Sequence, residues 1–321
     1  MTEIQPAALN AAACELCPRR CRARRLDGVR GYCAAGHLPR IYRYGPHFGE
    51  EPPLVGTRGS GTIFFSRCTL RCLYCQNYPW SQEGAGQDCS VERLAEILLE
   101  LQATGCHNWN LVSPTPWLPQ IVEALDRAQA GGGNLPVVYN TSSYERVDTL
   151  RALEGRVAVY LADLRYAEES TAKAASDASD YVCLARRALR EMWRQVGPLR
   201  LDDRGVVMTG LICRVLVLPG RAHEACASLE WIAENLGPET AVSVMGQYVP
   251  AYRAAYCAGW DRRVTPAEYA LVCRCMEDMG FTNGWQQEFG VDASAELLGY
   301  NMPPATAADL EVGVYKSRRT R

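Results

Sequence analysis

The sequence predicts an α/β protein: a partial (β/α)6 TIM-like barrel preceded by a small N-terminal Cys-rich metal module. Three observations carry this prediction. Apolar, β-branched runs alternate with amphipathic stretches over residues 61–285. Residues 1–60 lack that rhythm and are rich in arginine and turn-forming residues. The cysteines gather into two tight groups and a scatter. Residues 286–321 break the rhythm again and read as a C-terminal tail ending PPATAADLEVGVYKSRRTR.

The barrel elements follow in order. TIFFS at 62–66 is the first strand, and VERLAEILLELQATG after Ser90 is a helix with apolar positions every three or four residues. WNLVS at 109–113 is a strand, and PQIVEALDRAQAGGG is a helix closed by glycine, as helices commonly are. The same pairing repeats in LPVVYNT (135–141) with RVDTLRALEG, and in VAVYLAD (157–163) with ARRALREMWRQVG. LICRVLVL (211–218) with EACASLEWIAENLG follows, and AVSVMGQY (241–248) is the last strand. Repeated strand-then-helix units imply parallel strands joined by right-handed crossovers. Six such units are too few for eight-strand closure, so the barrel is open, with its site at the strand C-terminal ends.

Bulk properties narrow the function classes. At 321 residues, 48% hydrophobic, the chain can bury a full core as one large domain or a domain with an appendage. A net charge of -2 gives no global attraction to nucleic acid, and no nucleic-acid partner is expected. MTEIQPAALNAAACELC has neither a basic start nor an unbroken apolar stretch, and no later run is long enough to cross a bilayer. The reading is therefore cytoplasmic, with no membrane partner. Fifteen cysteines, an odd number, argue against a complete set of intramolecular disulfides. In a reducing compartment, clustered thiols are metal ligands or catalysts more often than bridges.

The second cysteine group, FFSRCTLRCLYCQN, sets Cys68, Cys72 and Cys75 directly after the first strand. Three thiolates can hold three irons of a [4Fe-4S] cluster and leave the fourth open to a small ligand, whereas a closed structural zinc site wants four protein ligands. A loop leaving the top of the first strand puts that open iron over the barrel mouth. The first group, Cys14, Cys17, Cys21 and Cys33, has the spacing C-x2-C-x3-C-x11-C and four soft ligands. Zinc would staple a module with few core residues, and an auxiliary iron–sulfur cluster would take the same thiolates. Eight arginines lie from Cys14 to Arg43 inclusive, an excess that suits solvated positions around a metal knuckle or contact with phosphates or an acidic partner. The eight scattered cysteines read individually as small buried hydrophobes.

CxxxCxxC with Tyr74 before the last cysteine resembles the radical S-adenosylmethionine superfamily. Together with CPRRC, EEPPLVGTRGSGTIFFSRCTLRCLYCQNYPWSQEG, LVSPT, LPVVYNTSSYE, ALREMWRQVG and VLVLPG, the chain looks like the branch related to pyruvate formate-lyase-activating enzyme, over residues 14–285. That resemblance implies that Cys68, Cys72 and Cys75 ligate a [4Fe-4S] cluster whose open iron binds S-adenosylmethionine. One electron, from an external donor such as flavodoxin or ferredoxin, would then release a 5′-deoxyadenosyl radical that takes a substrate hydrogen atom. It further implies that Tyr74 packs near the adenine, and that Ser113, Pro114 and Thr115 stand where relatives carry a GGE-like turn. Asn140 and Ser142 would make polar cofactor contacts, Asp163 would orient polar groups, and Arg165 would replace a lysine near the cofactor carboxylate. Arg214 matches a strand-five arginine in relatives; Leu216 follows it on the strand, and Gln247 and Tyr248 close the sixth strand towards adenine or substrate.

The scaffold leaves two reactions. An activase removes a hydrogen from a backbone glycine of a partner enzyme. An epimerase returns a hydrogen to the same carbon from the opposite face, which calls for a nearby donor such as a thiol. Cys213 stands where relatives have an apolar residue, with Cys257 and Cys183 as reserves. Strand alternation opposes Cys213, because a neighbour of Arg214 should face the other way unless the strand is bulged. The chain is also similar to radical sugar epimerases of avilamycin-type orthosomycin antibiotic pathways. That similarity implies inversion at C2 of a glucose unit to the mannose configuration within a small-molecule oligosaccharide substrate. A non-enzymatic iron–sulfur carrier would require a fourth protein ligand on the Cys68 group.

Overall fold

The computed structural model describes residues 13–290. Its elements run β1 (Arg40–His47), α1 (Pro52–Val55), β2 (Ser60–Phe65), α2 (Tyr78–Ser81), β3 (Gln87–Asp88), α3 (Val91–Ala103), β4 (Trp109–Val112) and α4 (Leu118–Ala130). They continue β5 (Val137–Thr141), α5 (Val147–Arg151), β6 (Val159–Asp163), α6 (Glu169–Ser176), α7 (Tyr181–Val196), β7 (Arg200–Leu201) and β8 (Val207–Leu216). The last are α8 (Ala222–Leu236), β9 (Ala241–Met245), α9 (Pro266–Asp278) and β10 (Gly284–Gln286).

One sheet has the order β10-β9-β8-β6-β5-β4-β2-β1-β3. From β2 to β10 every neighbouring pair is parallel, and β1 joins β2 antiparallel. The two edges are β3 and β10, so the barrel is open, as six crossovers require. All residues of β4, β5 and β6 are buried, the pattern of strands covered on both faces.

Two differences from the sequence reading position the site. Residues 40–47, assigned to the N-terminal module, form β1 of the barrel sheet, and the turn after them enters the barrel. The expected break near Asn283 instead holds β10, a short parallel strand beside β9. Three residues are too short for periodicity to show. Most of the proposed tail, residues 291–321, lies outside the described residues.

The helices cover the sheet through continuous apolar faces. α3 and α4 bury Leu98, Leu101, Ile121 and Leu125 around Trp109, which is fully enclosed. Replacing Trp109 with alanine would cost about 3–5 kcal/mol. Ser90 caps α3 by accepting the Arg93 amide at 3.1 Å, and Thr265 with Glu268 forms a capping box on α9. A disulfide, Cys226–Cys275, joins α8 to α9 across a separation of 49 residues. No described helix is long and apolar enough to cross a membrane.

Candidate active site

The loop between β2 and α2 carries Cys68, Cys72 and Cys75 at the C-terminal end of the first parallel strand. It begins with Arg67 in the left-handed region (φ 76°), a conformation unusual for a side chain of that size. Each thiol has a donor nearby. The Leu70 amide lies 3.5 Å from Cys68 Sγ; Ser176 Oγ and Arg165 Nη1 donate to Cys72 Sγ at 2.9 and 3.3 Å; Ser81 Oγ is 3.1 Å from Cys75 Sγ. Burial pushes the Cys68 thiol up to about 11 and the Cys75 thiol up to about 12. Bare thiols so placed stay protonated near neutral pH, and a cationic metal centre is what makes them thiolates. Three soft ligands with N–H and O–H donors aimed at sulfur fit an iron–sulfur cluster.

Under this loop lies a cavity of about 540 Å³, within the range of small-molecule and cofactor sites. Of the residues singled out from sequence, Tyr74, Cys75, Ser113, Asn140, Ser142, Asp163, Arg165, Arg214, Leu216 and Gln247 line it. Ser113 takes φ 56°, which turns the chain sharply at the end of β4.

A ladder of alternating charges crosses the cavity wall. Arg165 Nη1 reaches Cys72, and its Nη2 donates to Asp163 Oδ2 at 2.6 Å. Asp163 Oδ1 accepts from Arg214 Nε at 2.8 Å; Arg214 Nη1 donates to Glu50 Oε2 at 3.1 Å and its Nη2 to Asn140 Oδ1 at 2.7 Å. Glu50 Oε1 accepts from Asn110 and Asn140 amides at 3.0 and 3.3 Å. Burial alone would raise the Asp163 carboxyl, but the Arg214 and Arg165 guanidiniums outweigh it and hold the group below its ordinary value. Glu51 beside it is raised, first by burial and then by the Glu50 charge, against the pull of Arg214.

Other predicted site residues sit elsewhere. Pro114 and Thr115 turn away from the cavity; Thr115 Oγ1 donates to buried Glu145 at 2.6 Å. Tyr248 is buried in an aromatic group, donating to the Trp260 carbonyl at 2.6 Å, while Tyr74 stacks on Trp260 with centroids 5.6 Å apart. Cys213 is fully buried on the helix-facing side of β8 with Leu211, Val215 and Val217, whereas Arg214 and Leu216 face the cavity. The strand is not bulged there, so simple alternation decides the matter. Cys183 is exposed on α7. Cys257 is half-buried after a turn whose Ala254 amide donates to Leu73 of the cysteine loop at 2.9 Å.

Cys14, Cys17 and Cys33 are buried and Cys21 is exposed. Among the described residues, the one set of three or more His, Cys, Asp or Glu donors within 4.8 Å of one another is exposed Glu168 and His223 with buried Glu224. No three of these four thiols lie within 4.8 Å of one another.

Sequence reasoning missed Glu50 and Glu51, which close the cavity floor, and Trp285, Gln286 and Gln287 from β10 and just beyond it. Two adjacent acids before two prolines were the available signal for the first pair.

No family model matches the chain. Among solved structures it is similar to anSMEcpe with bound AdoMet and Cp18Cys peptide (TM-score 0.47, 10% identity, 68% of this chain and 60% of that one). It is also similar to the FeFe-hydrogenase maturase HydG from Carboxydothermus hydrogenoformans (TM-score 0.46, 13% identity, 66% and 49%). Streptococcus suis SuiB bound to precursor peptide SuiA gives TM-score 0.44 at 11% identity, with 66% and 43% covered. The chain spans less than two thirds of each of these solved chains. Over 267 residues it is 30% identical to the uncharacterized protein MJ0674 of Methanocaldococcus jannaschii, covering 79% of this chain and 71% of that protein. The chain belongs to the family of MJ0674.

Proposed function

We propose that this protein is a radical S-adenosylmethionine enzyme of the branch related to pyruvate formate-lyase-activating enzyme. The observation that carries the reading is the placement of Cys68, Cys72 and Cys75 on the first strand-end loop, with Cys75 lining a half-open cavity that also holds Asp163, Arg165 and Arg214. When bound, a reduced [4Fe-4S] cluster and S-adenosylmethionine supply a carbon-centred radical that abstracts a hydrogen atom. The three cysteines hold the cluster. Arg165 presents a planar fork beside Cys72 that suits a carboxylate, and Asp163 fixes the plane of that fork. Ser113, Asn140, Ser142 and Gln247 offer polar atoms to cofactor and substrate. Flavodoxin or ferredoxin is the proposed source of the electron.

The specific reaction we favour is redox-neutral inversion at C2 of a glucose unit in an oligosaccharide, giving the mannose configuration. Carboxylate and amide side chains at the cavity floor, Glu50, Glu51, Gln286 and Gln287, suit hydroxyl groups. The placement of Cys257 after a turn tied to the cysteine loop supports it as hydrogen donor over Cys213, which faces the helices. Glycyl-radical activation is the second reading. It is favoured by the fact that among the described residues no thiol other than Cys75 lines the cavity.

The test is anaerobic turnover in deuterated water with a glucose-containing oligosaccharide of the orthosomycin type. Deuterium at C2 of an inverted product supports epimerisation from an exchangeable donor, and Cys257→Ala then forms deoxyadenosine without inversion. Deoxyadenosine with no change in the sugar rules out this substrate and favours the activase.

A further inference from the structure

We propose that Cys14, Cys17, Cys21 and Cys33 hold an iron–sulfur cluster, not a zinc ion, and that this cluster relays electrons to the centre on Cys68, Cys72 and Cys75. The relay rests on the proposed redox role of that second centre; the identity of the N-terminal metal does not.

The N-terminal knuckle is clamped onto the cysteine loop. Arg19 Nε donates to the Thr69 carbonyl at 3.1 Å, and Arg71 Nη2 donates to the Tyr32 carbonyl at 2.5 Å. Each of those loop residues lies next to a cluster cysteine, and Tyr32 adjoins Cys33. Tyr32 is itself fixed by a 2.9 Å hydrogen bond to Asp177 and by the Arg19 guanidinium 3.9 Å above its ring. A staple for an independent module would need none of these ties. A donor to the second centre needs them, because electron transfer requires closeness and a fixed separation.

The donors themselves argue against zinc. Tetrahedral zinc at about 2.3 Å from each sulfur would draw the four thiolates to about 3.8 Å from one another. No three of these thiols gather within 4.8 Å, a spread that a multi-iron cage accepts and a single ion does not. Arg25, 3% exposed, lies among them and donates from Nη2 to Cys14 Sγ at 3.0 Å and to Cys33 Sγ at 3.6 Å. Its Nε is buried without an acceptor, a donor left over for an inorganic sulfide. Hydrogen bonds to cluster sulfurs tune potential, and a buried cation favours the reduced state.

The knuckle also faces an entry surface. Arg30, exposed, neighbours Arg67 together with Arg71 and with Arg40, which also pairs with Asp88 at 2.8 Å. Such a patch beside exposed Cys21 suits an acidic one-electron carrier of the flavodoxin or ferredoxin class. One electron leaves the reduced carrier, which is thereby oxidised, reduces the N-terminal cluster, and passes on to the Cys68 centre. No bond or proton changes place in the relay.

The test is the full chain carrying Cys68→Ala, Cys72→Ala and Cys75→Ala, reconstituted anaerobically with iron and sulfide. The proposal expects about four irons per chain and a paramagnetic signal after dithionite reduction. Stoichiometric zinc that iron and sulfide do not displace, with no such signal, would overturn it. Should that variant not fold, iron in the wild-type protein decides: about eight per chain supports two clusters, about four supports one. For the relay, Cys14→Ala/Cys17→Ala is compared with wild type under flavodoxin and under dithionite. Loss of flavodoxin-driven deoxyadenosine formation, with a smaller loss under dithionite, supports it; equal losses overturn it. Absence of deoxyadenosine in wild type would remove the radical reading while leaving the metal result standing.

Discussion

Arg214→Met is the most informative single change to the cavity wall. Methionine keeps the length of the side chain but removes the cation held between Asp163, Glu50 and Asn140. Arg165 still neutralises Asp163, so the uncompensated charge falls mainly on Glu50, with Glu51 alongside. Breaking a buried pair from one side costs about 3–5 kcal/mol. At about 1.5 °C per kcal/mol for a chain of this length, the melting midpoint falls by about 4–8 °C. The pH dependence gives a second reading. The Asp163 carboxyl is held low in the folded protein, so its contribution to stability is present above the unfolded value of about 3.9 and is lost as pH falls through the folded value. Without Arg214 the Asp163 and Glu51 carboxyls lose a cation that holds both down, so the penalty in the variant is largest near neutral pH and shrinks towards pH 4. Urea titrations of both proteins at pH 7.5 and pH 4.5 measure this directly. A penalty under about 1 kcal/mol, in the range of surface ion pairs, would refute the ladder as a buried network. A penalty that grows on acidification would do the same.

Other consequences follow from single groups. Glu145 is fully buried and accepts from Thr115, Thr141 and Tyr139, and burial pushes its carboxyl up to about 7. The folded state then binds the extra proton, so stability falls as pH rises from about 4.3 to about 7, by about 3–4 kcal/mol. Glu145→Gln removes that slope; an unchanged slope in paired denaturation curves would show that another group titrates. The disulfide Cys226–Cys275 closes a loop of 49 residues, and Cys226→Ser should lower unfolding free energy by up to about 4 kcal/mol under oxidising conditions. Equal denaturation midpoints for variant and wild type, with and without reductant, would mean that the bridge does not form in solution.

Strand-then-helix repetition was enough to place β2, β4, β5, β6, β8 and β9 because each is a buried run bounded by polar or glycine-rich segments. The cysteine loop was legible for the same local reason: three thiols at short spacing after a strand. Period-two alternation anticipated the objection to Cys213, and the structure turns that side chain towards the helices. What was not legible depends on long-range contacts. Glu50 meets Arg214 across 164 positions, so two acids in a turn carried no sign of facing a barrel interior. Cys226 and Cys275 read as separate hydrophobes until α8 and α9 were packed together. The knuckle read as independent because its ties to Thr69 and Arg71 join segments whose local patterns do not correspond.

We propose that Cys68, Cys72 and Cys75 direct reductive cleavage of S-adenosylmethionine. Reconstituted wild-type protein and Cys72→Ala are incubated anaerobically with S-adenosylmethionine and dithionite, and 5′-deoxyadenosine is quantified. Formation by wild type and none above the protein-free control in the variant is the predicted result. Equal formation by both, or none from a wild-type protein with its iron bound, would contradict the account.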